Sequence, residues 1–115
     1  MENELSKRLF DFSVRVIKYT RKLPKSKEND VIVYQLIKSV TSAPSNYEEA
    51  QAASSRADFK NKVNISLKEM RETNFWLRLL KALDNKSDDL DYLIAESKEL
   101  KDILGAICSK VSKNH

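Results

Sequence analysis

Cysteine, histidine and glycine occur once each in this chain of 115 residues, and proline twice. A lone Cys108 closes no disulfide within the chain, and a lone His115, the last residue, where fraying is expected, gives no internal ligand for a metal centre. One Gly and two Pro supply too little turn chemistry for β-hairpins or phosphate-cradling loops, which need residues that accept positive φ. All-β folds and glycine-rich nucleotide loops are thereby excluded. Long apolar runs are missing too. The longest stretch without a charge, Ser39–Tyr47, has nine residues and is largely polar, against the roughly 20 apolar residues that span a bilayer. The opening Met1-Glu2-Asn3-Glu4 is acidic where a secretory signal carries a basic segment, so the chain reads as cytoplasmic, with no membrane span. What is present is an ordinary globular balance, 33% charged and 41% hydrophobic, over a length that suits one domain, residues 1–115.

The apolar residues fall on helical stripes. Leu5, Leu9, Phe12, Val16, Tyr19 and Leu23 are spaced alternately by four and three, which predicts a first helix from about Ser6 to Lys22, ended by Pro24. A polar link, Lys25–Asn29, precedes Asp30, a candidate cap for a second helix with the seam Val33, Leu36, Val40, Ala43, Tyr47 and Ala50. Pro44 lies inside that seam. It predicts a kink, or a break in which Ser45-x-x-Glu48 caps a fresh helix; one kinked helix is the favoured reading. Ser55-x-x-Asp58 opens a third helix, Arg56 to Leu83, and Asn85–Ser87 form the next turn. Leu90, Leu93, Ser97, Leu100, Leu104, Ile107 and Val111 mark a fourth helix to about Lys110, with Asp88, Asp89 and Asp91 in its first turn, where the helix dipole favours acids. Four helices on short links predict an all-α fold, an antiparallel up-down-up-down four-helix bundle with a long, Pro-kinked second helix.

Two features of the helix faces go beyond the fold. The third helix is apolar on two sides: Phe59, Val63, Met70, Leu77 and Leu80 share one direction, while Ile65, Trp76, Leu79 and Leu83 lie about a third of a turn away. The second set is either a broad extension of the monomer's core or an interface with another subunit. Charge is also uneven: residues 1–28 and 56–83 each carry a net +4, residues 29–55 and 84–115 each −2. Arg8, Arg15 and Lys22 recur every seven residues, with Lys18 and Lys25 beside them, and the third helix carries Lys60, Lys68, Arg71, Arg78 and Lys81 interleaved with Asn61, Asn64 and Asn74. Such side chains contact phosphates and base edges, but they also make plain solvated faces.

Catalytic chemistry has no recognisable spacing in this chain. Cys108, next to Ile107, reads as a small buried hydrophobe. Glu69 and Glu72 share a side, yet a carboxylate-bridged metal site in a bundle pairs glutamates with Glu-x-x-His, and no internal His exists. The chain is therefore read as a non-enzyme without metal or cofactor.

The run Ser42-Ala-Pro-Ser-Asn-Tyr-Glu-Glu-Ala50, with Ser55-Arg-Ala-Asp-Phe59, Lys62, Asn64-Ile-Ser-Leu-Lys-Glu69, Glu72-Thr73 and Trp76-Leu-Arg-Leu-Leu80, resembles the four-helix-bundle family encoded in intervening sequences of bacterial 23S ribosomal RNA genes. The resemblance covers about Lys7 to Ser112. It implies a bundle with a long kinked second helix, commonly assembled as a ring-like homopentamer. It also implies kinship with the accessory proteins of diversity-generating retroelements, basic nucleic-acid-binding pentamers that partner a reverse transcriptase. Within the shared segment, Ser45 and Asn46 are suited to bridging the backbone gap at Pro44, and Glu49 to accepting from an Arg or Lys across the bundle; a ligand site there is the alternative.

The leading expectation is a homo-oligomer that contacts RNA or DNA phosphates through Arg15, Lys18 and Lys22 of the first helix and Lys68, Arg71 and Arg78 of the third. Its subunits would meet through Ile65, Trp76, Leu79 and Leu83. The competing expectation is a protein-interaction scaffold whose charges only keep it soluble.

Overall fold

The apolar seam predicted for each helix supplies most of its buried face. The computed structural model describes residues 3–113 and contains α1 (Glu4–Thr20), α2 (Lys27–Gln51), α3 (Arg56–Ala82) and α4 (Asp88–Lys113). Among the described residues there is no strand. Met1, Glu2 and His115, which entered the sequence reading, lie outside them.

Each start has a side-chain cap that meets otherwise unpaired N–H groups. The Asn3 carboxamide oxygen accepts from the N–H of Leu5 and Ser6, and the Ser55 hydroxyl from that of Asp58. Ser87 Oγ accepts from the Leu90 N–H at 3.0 Å. The second helix corrects the sequence reading: it begins at Lys27, not near Asp30, because Ser26 is its cap and accepts from the Asn29 N–H at 3.0 Å. Asn29, assigned to the link, is buried in the first turn and donates from Nδ2 to the Pro24 carbonyl at 2.9 Å. The α3–α4 turn closes without glycine. Asp84 takes φ 72°, while the N–H groups of Asp84 and Asn85 reach back to the Lys81 and Leu80 carbonyls.

The helices pack in the cyclic order α1, α2, α3, α4, with α1 and α3 at opposite corners and α2 and α4 at the other two. Partner residues step in opposite senses along neighbouring helices. Ser39 meets Thr73 whereas Ala43 meets Ser66, and Arg8 meets Glu96 whereas Arg15 meets Asp89. Leu9, Val16, Leu36, Val40, Met70, Leu77, Leu93 and Leu104 are fully enclosed. On α2 the core residue near the start is Ile32 rather than Val33, which is only half-buried. Val33 sits one residue, about 100° of helix turn, round from Ile32 and so falls at the edge of the buried stripe Ile32, Leu36, Ser39, Val40 and Ala43. Cys108 is buried as expected, and burial pushes its thiol above its ordinary range.

α2 runs through Pro44 without a break. Proline has no N–H to give the Val40 carbonyl four residues back, and that carbonyl is inside the bundle. The Ser13 hydroxyl of α1 takes the missing place, donating to Val40 O at 2.7 Å. Ser45 does not cap a new helix; its hydroxyl donates to the Ser42 carbonyl at 3.1 Å, and Asn46 Nδ2 donates to the same carbonyl at 2.9 Å. Ser66 Oγ donates to Ala43 O at 2.7 Å, and Ser39 and Thr73 share a hydroxyl bond of 2.8 Å. Serine, alanine and threonine thus fill the contact layer of α1, α2 and α3 around the proline. Among the described residues no buried side-chain polar atom lacks a partner.

Candidate functional site

The basic residues of α1 face the acidic start of α4. Arg8 forks onto Glu96 with two bonds of 2.8 and 2.7 Å and also reaches Glu99 at 3.0 Å. The Glu96 bond, with Glu99 behind it, makes the Arg8 guanidinium still harder to deprotonate. Arg15 pairs with Asp89 at 3.2 Å and lies over the Tyr92 ring, 3.9 Å from its centroid. Lys18 and Lys22 line a recess with Tyr19, Asp88 and Asp89, and burial pushes the Tyr19 hydroxyl upward. Acids that suit the α4 dipole therefore also offset the charge of α1. An open groove of about 940 Å³ separates α1 from α4, with Leu5, Phe12, Ile103 and Ile107 beneath walls of paired charges.

α3 is arranged differently. At 100° per residue its acids Asp58, Glu69 and Glu72 turn toward α2, whereas Lys60, Lys68, Arg71 and Arg78 share an arc on the side of α4. The α4 side is marked by the bond from Asn74 Nδ2 to Ser97 Oγ, 2.9 Å, and by the Lys81–Asp91 pair, 2.8 Å. Lys60 and Arg71 lie close enough to Cys108 to counter the upward pull of burial on its thiol. Lys68, Arg71 and Arg78 are exposed, and among the described residues none of them, nor Lys60, pairs with a carboxylate. Arg78 is steadied instead by Asn74 Oδ1 at 2.8 Å. On the α2 side, burial first and Glu72 second hold the Glu69 carboxyl above its ordinary value.

The six phosphate-contact candidates are therefore two groups, not one surface. Arg15 pairs with Asp89, and Lys18 and Lys22 line a recess with Asp88 and Asp89, whereas Lys68, Arg71 and Arg78 at the opposite corner make no ion pair among the described residues, Lys68 acting only at longer range on Glu69. Both groups lie on the sides of their helices that border α4, and α4 stands between them.

Of the proposed interface residues, Trp76 and Leu79 pack half-buried against their own core, Ile65 is half-buried, and Leu83 is the α3 C-cap, 44% exposed. Phe10 and Val14, which belong to none of the predicted seams, are exposed by 58% and 38%. Together with Ile17, Thr41, Pro44 and Ser45 they line an apolar recess of about 350 Å³ between α1 and α2. Their signal was present in the spacing Phe10, Val14, Ile17, a second apolar stripe on the first helix.

Glu49 is exposed and meets no Arg or Lys among the described residues, so the Ser42–Ala50 segment acts through the local bonds of Ser45 and Asn46. Among the described residues no cluster of His, Cys, Asp and Glu is built to hold a metal ion, and no helix is long and apolar enough to cross a membrane.

The family model of the 23S rRNA-intervening sequence protein matches residues 1–106. A solved structure from Bacteroides thetaiotaomicron, described as a protein with unknown function from the S23 ribosomal protein family, is similar along almost its whole length. It is 33% identical with a TM-score of 0.82, over 90% of this chain and 97% of that one. No curated protein matches closely enough to serve as a relative.

Proposed function

The chain belongs to the family of 23S rRNA-intervening sequence proteins, and from that premise we propose that it is a non-catalytic, self-associating bundle that binds RNA or DNA along α3. One observation carries the reading: Lys60, Lys68, Arg71 and Arg78 share an arc of one helix, with the helix's own acids on another side and no carboxylate paired to any of the four among the described residues. Cations left unpaired in a row are the groups that displace counterions from a phosphate backbone. The α1 residues Arg15, Lys18 and Lys22 become secondary contacts, since Asp88 and Asp89 already share their surroundings.

Self-association, in the ring-like homopentamer that the family resemblance implies, is part of the same proposal. Phe10 and Val14 make the α1–α2 face a candidate contact, beside the face of Trp76 and Leu79, where Leu83 is 44% exposed. Contact through the α1–α2 face leaves the α3 stripe on the far side of each subunit, open to a ligand. A reverse transcriptase or another protein is a further candidate partner of the assembled form.

The test is fluorescence anisotropy of short labelled RNA and DNA at low and moderate salt, with sedimentation of the same sample. The expected result is a species larger than the 13.3 kDa monomer that binds both at low salt. The log of its affinity falls by about 0.7 per log unit of salt for each single-strand phosphate held. Absence of binding even at low salt would overturn the nucleic-acid reading and leave the protein-interaction scaffold.

A further inference from the structure

Within the α3 stripe lies a residue that phosphate binding does not explain. Phe75 stands between Arg71, four residues before it, and Arg78, three after, and its side chain is 47% exposed. The ring is not loose. It meets Trp76 edge to face, with centroids 5.0 Å apart at 76°, and Trp76 in turn packs on the core and donates from Nε1 to Glu72 at 3.3 Å. The Arg78 guanidinium lies over the Phe75 ring, 5.9 Å from its centroid, held by Asn74, which is itself tied to Ser97 of α4. An aromatic ring is thus held on the surface of a helix, with Arg78 positioned beside it and Arg71 one turn before it in the sequence.

We infer that the α3 stripe holds unpaired rather than duplex nucleic acid, and that Phe75 is the platform on which one of its bases stacks. This rests on the nucleic-acid reading above and narrows it. A duplex keeps its base faces stacked inside and shows a protein only phosphates, sugars and groove edges, so a Phe ring gains little from it. A single strand exposes each base face, and base–aromatic stacking is largely indifferent to which base it is. The Lys60–Arg78 span, roughly 27 Å at 1.5 Å per residue, gives an extended strand several cations to follow while one base lies on Phe75. Another protein's apolar surface fits less well, because covering Phe75 would also cover Arg71 and Arg78 without supplying carboxylates, and unpaired buried charge is costly.

The experiment uses the full chain with three labelled probes of equal length: oligo(dT), oligo(U) and a duplex. Phe75→Ala and Phe75→Leu are each expected to weaken binding of both single strands by about tenfold or more, the weight of one base–aromatic stack. Phe75→Tyr is expected to retain wild-type binding. Duplex affinity stays within twofold in all three variants, and the salt slope is unchanged, since no phosphate contact is lost. Comparison of the two single strands then says whether the sugar matters. Equal losses for duplex and single strand, or a Phe75→Leu variant that binds single strands as wild type does, would overturn the stacking role and leave the phosphate reading standing. Failure of the wild-type chain to bind any of the three would overturn both.

Discussion

Replacing Lys68, Arg71 and Arg78 together by alanine is expected to weaken oligonucleotide binding about a hundredfold near 0.1 M salt. Each phosphate held on a single strand releases about 0.7 of a counterion, so three contacts lower the salt slope by about 2 and the affinity by about two decades relative to 1 M salt. All three side chains are exposed and none pairs with a carboxylate among the described residues, so the fold has little to lose. The matching α1 variant, Arg15, Lys18 and Lys22 to alanine, is expected to stay within about threefold, because those cations already share their surroundings with Asp88 and Asp89. Anisotropy titrations at three salt concentrations check both. Equal losses in the two variants would mean that the α4 acids do not offset the α1 charges as their geometry implies.

The second large effect concerns folding and follows from Pro44. Ser13→Ala removes the hydroxyl that serves the Val40 carbonyl and leaves a buried acceptor unsatisfied, at a cost of about 1–3 kcal/mol. Pro44→Ala in that background restores an N–H in register with Val40 and is expected to recover most of the loss. In Pro44→Ala alone, Ser13 becomes largely dispensable. The two substitutions are thus expected to couple by at least about 1 kcal/mol in a double-mutant cycle read by urea denaturation. Simple additivity would show that Ser13 serves another end, such as its longer bond of 3.0 Å to the Leu9 carbonyl.

Much of this architecture was readable from spacing. The stripes of α1, α3 and α4, the Ser55 cap and the acidic first turn of α4 rest on short-range periodicity and capping, which sequence displays directly. The start of α2 was misread because Ser26 sits in a polar stretch that looks like a link, and its role as a cap depends on Asn29 being drawn into the first turn. The burden that Pro44 creates was legible, but not the residue that meets it, since Ser13 lies 27 positions away and reaches Val40 only once α1 is docked. The same holds for charge. Counting Lys and Arg by segment treated α1 and α3 as alike, and only contacts 74 to 88 positions apart, Arg15 with Asp89 and Arg8 with Glu96, separate an offset stripe from a free one. Phe75 was hidden for a related reason: a single aromatic between two arginines has no periodicity to announce it.

The most direct test of the α3 assignment is photo-crosslinking of a 4-thiouridine-containing oligonucleotide to the full chain at low salt, followed by peptide mapping. The account predicts adducts within residues 68–78, lost when Lys68, Arg71 and Arg78 are replaced by alanine. Adducts confined to residues 8–22 of α1 would contradict it.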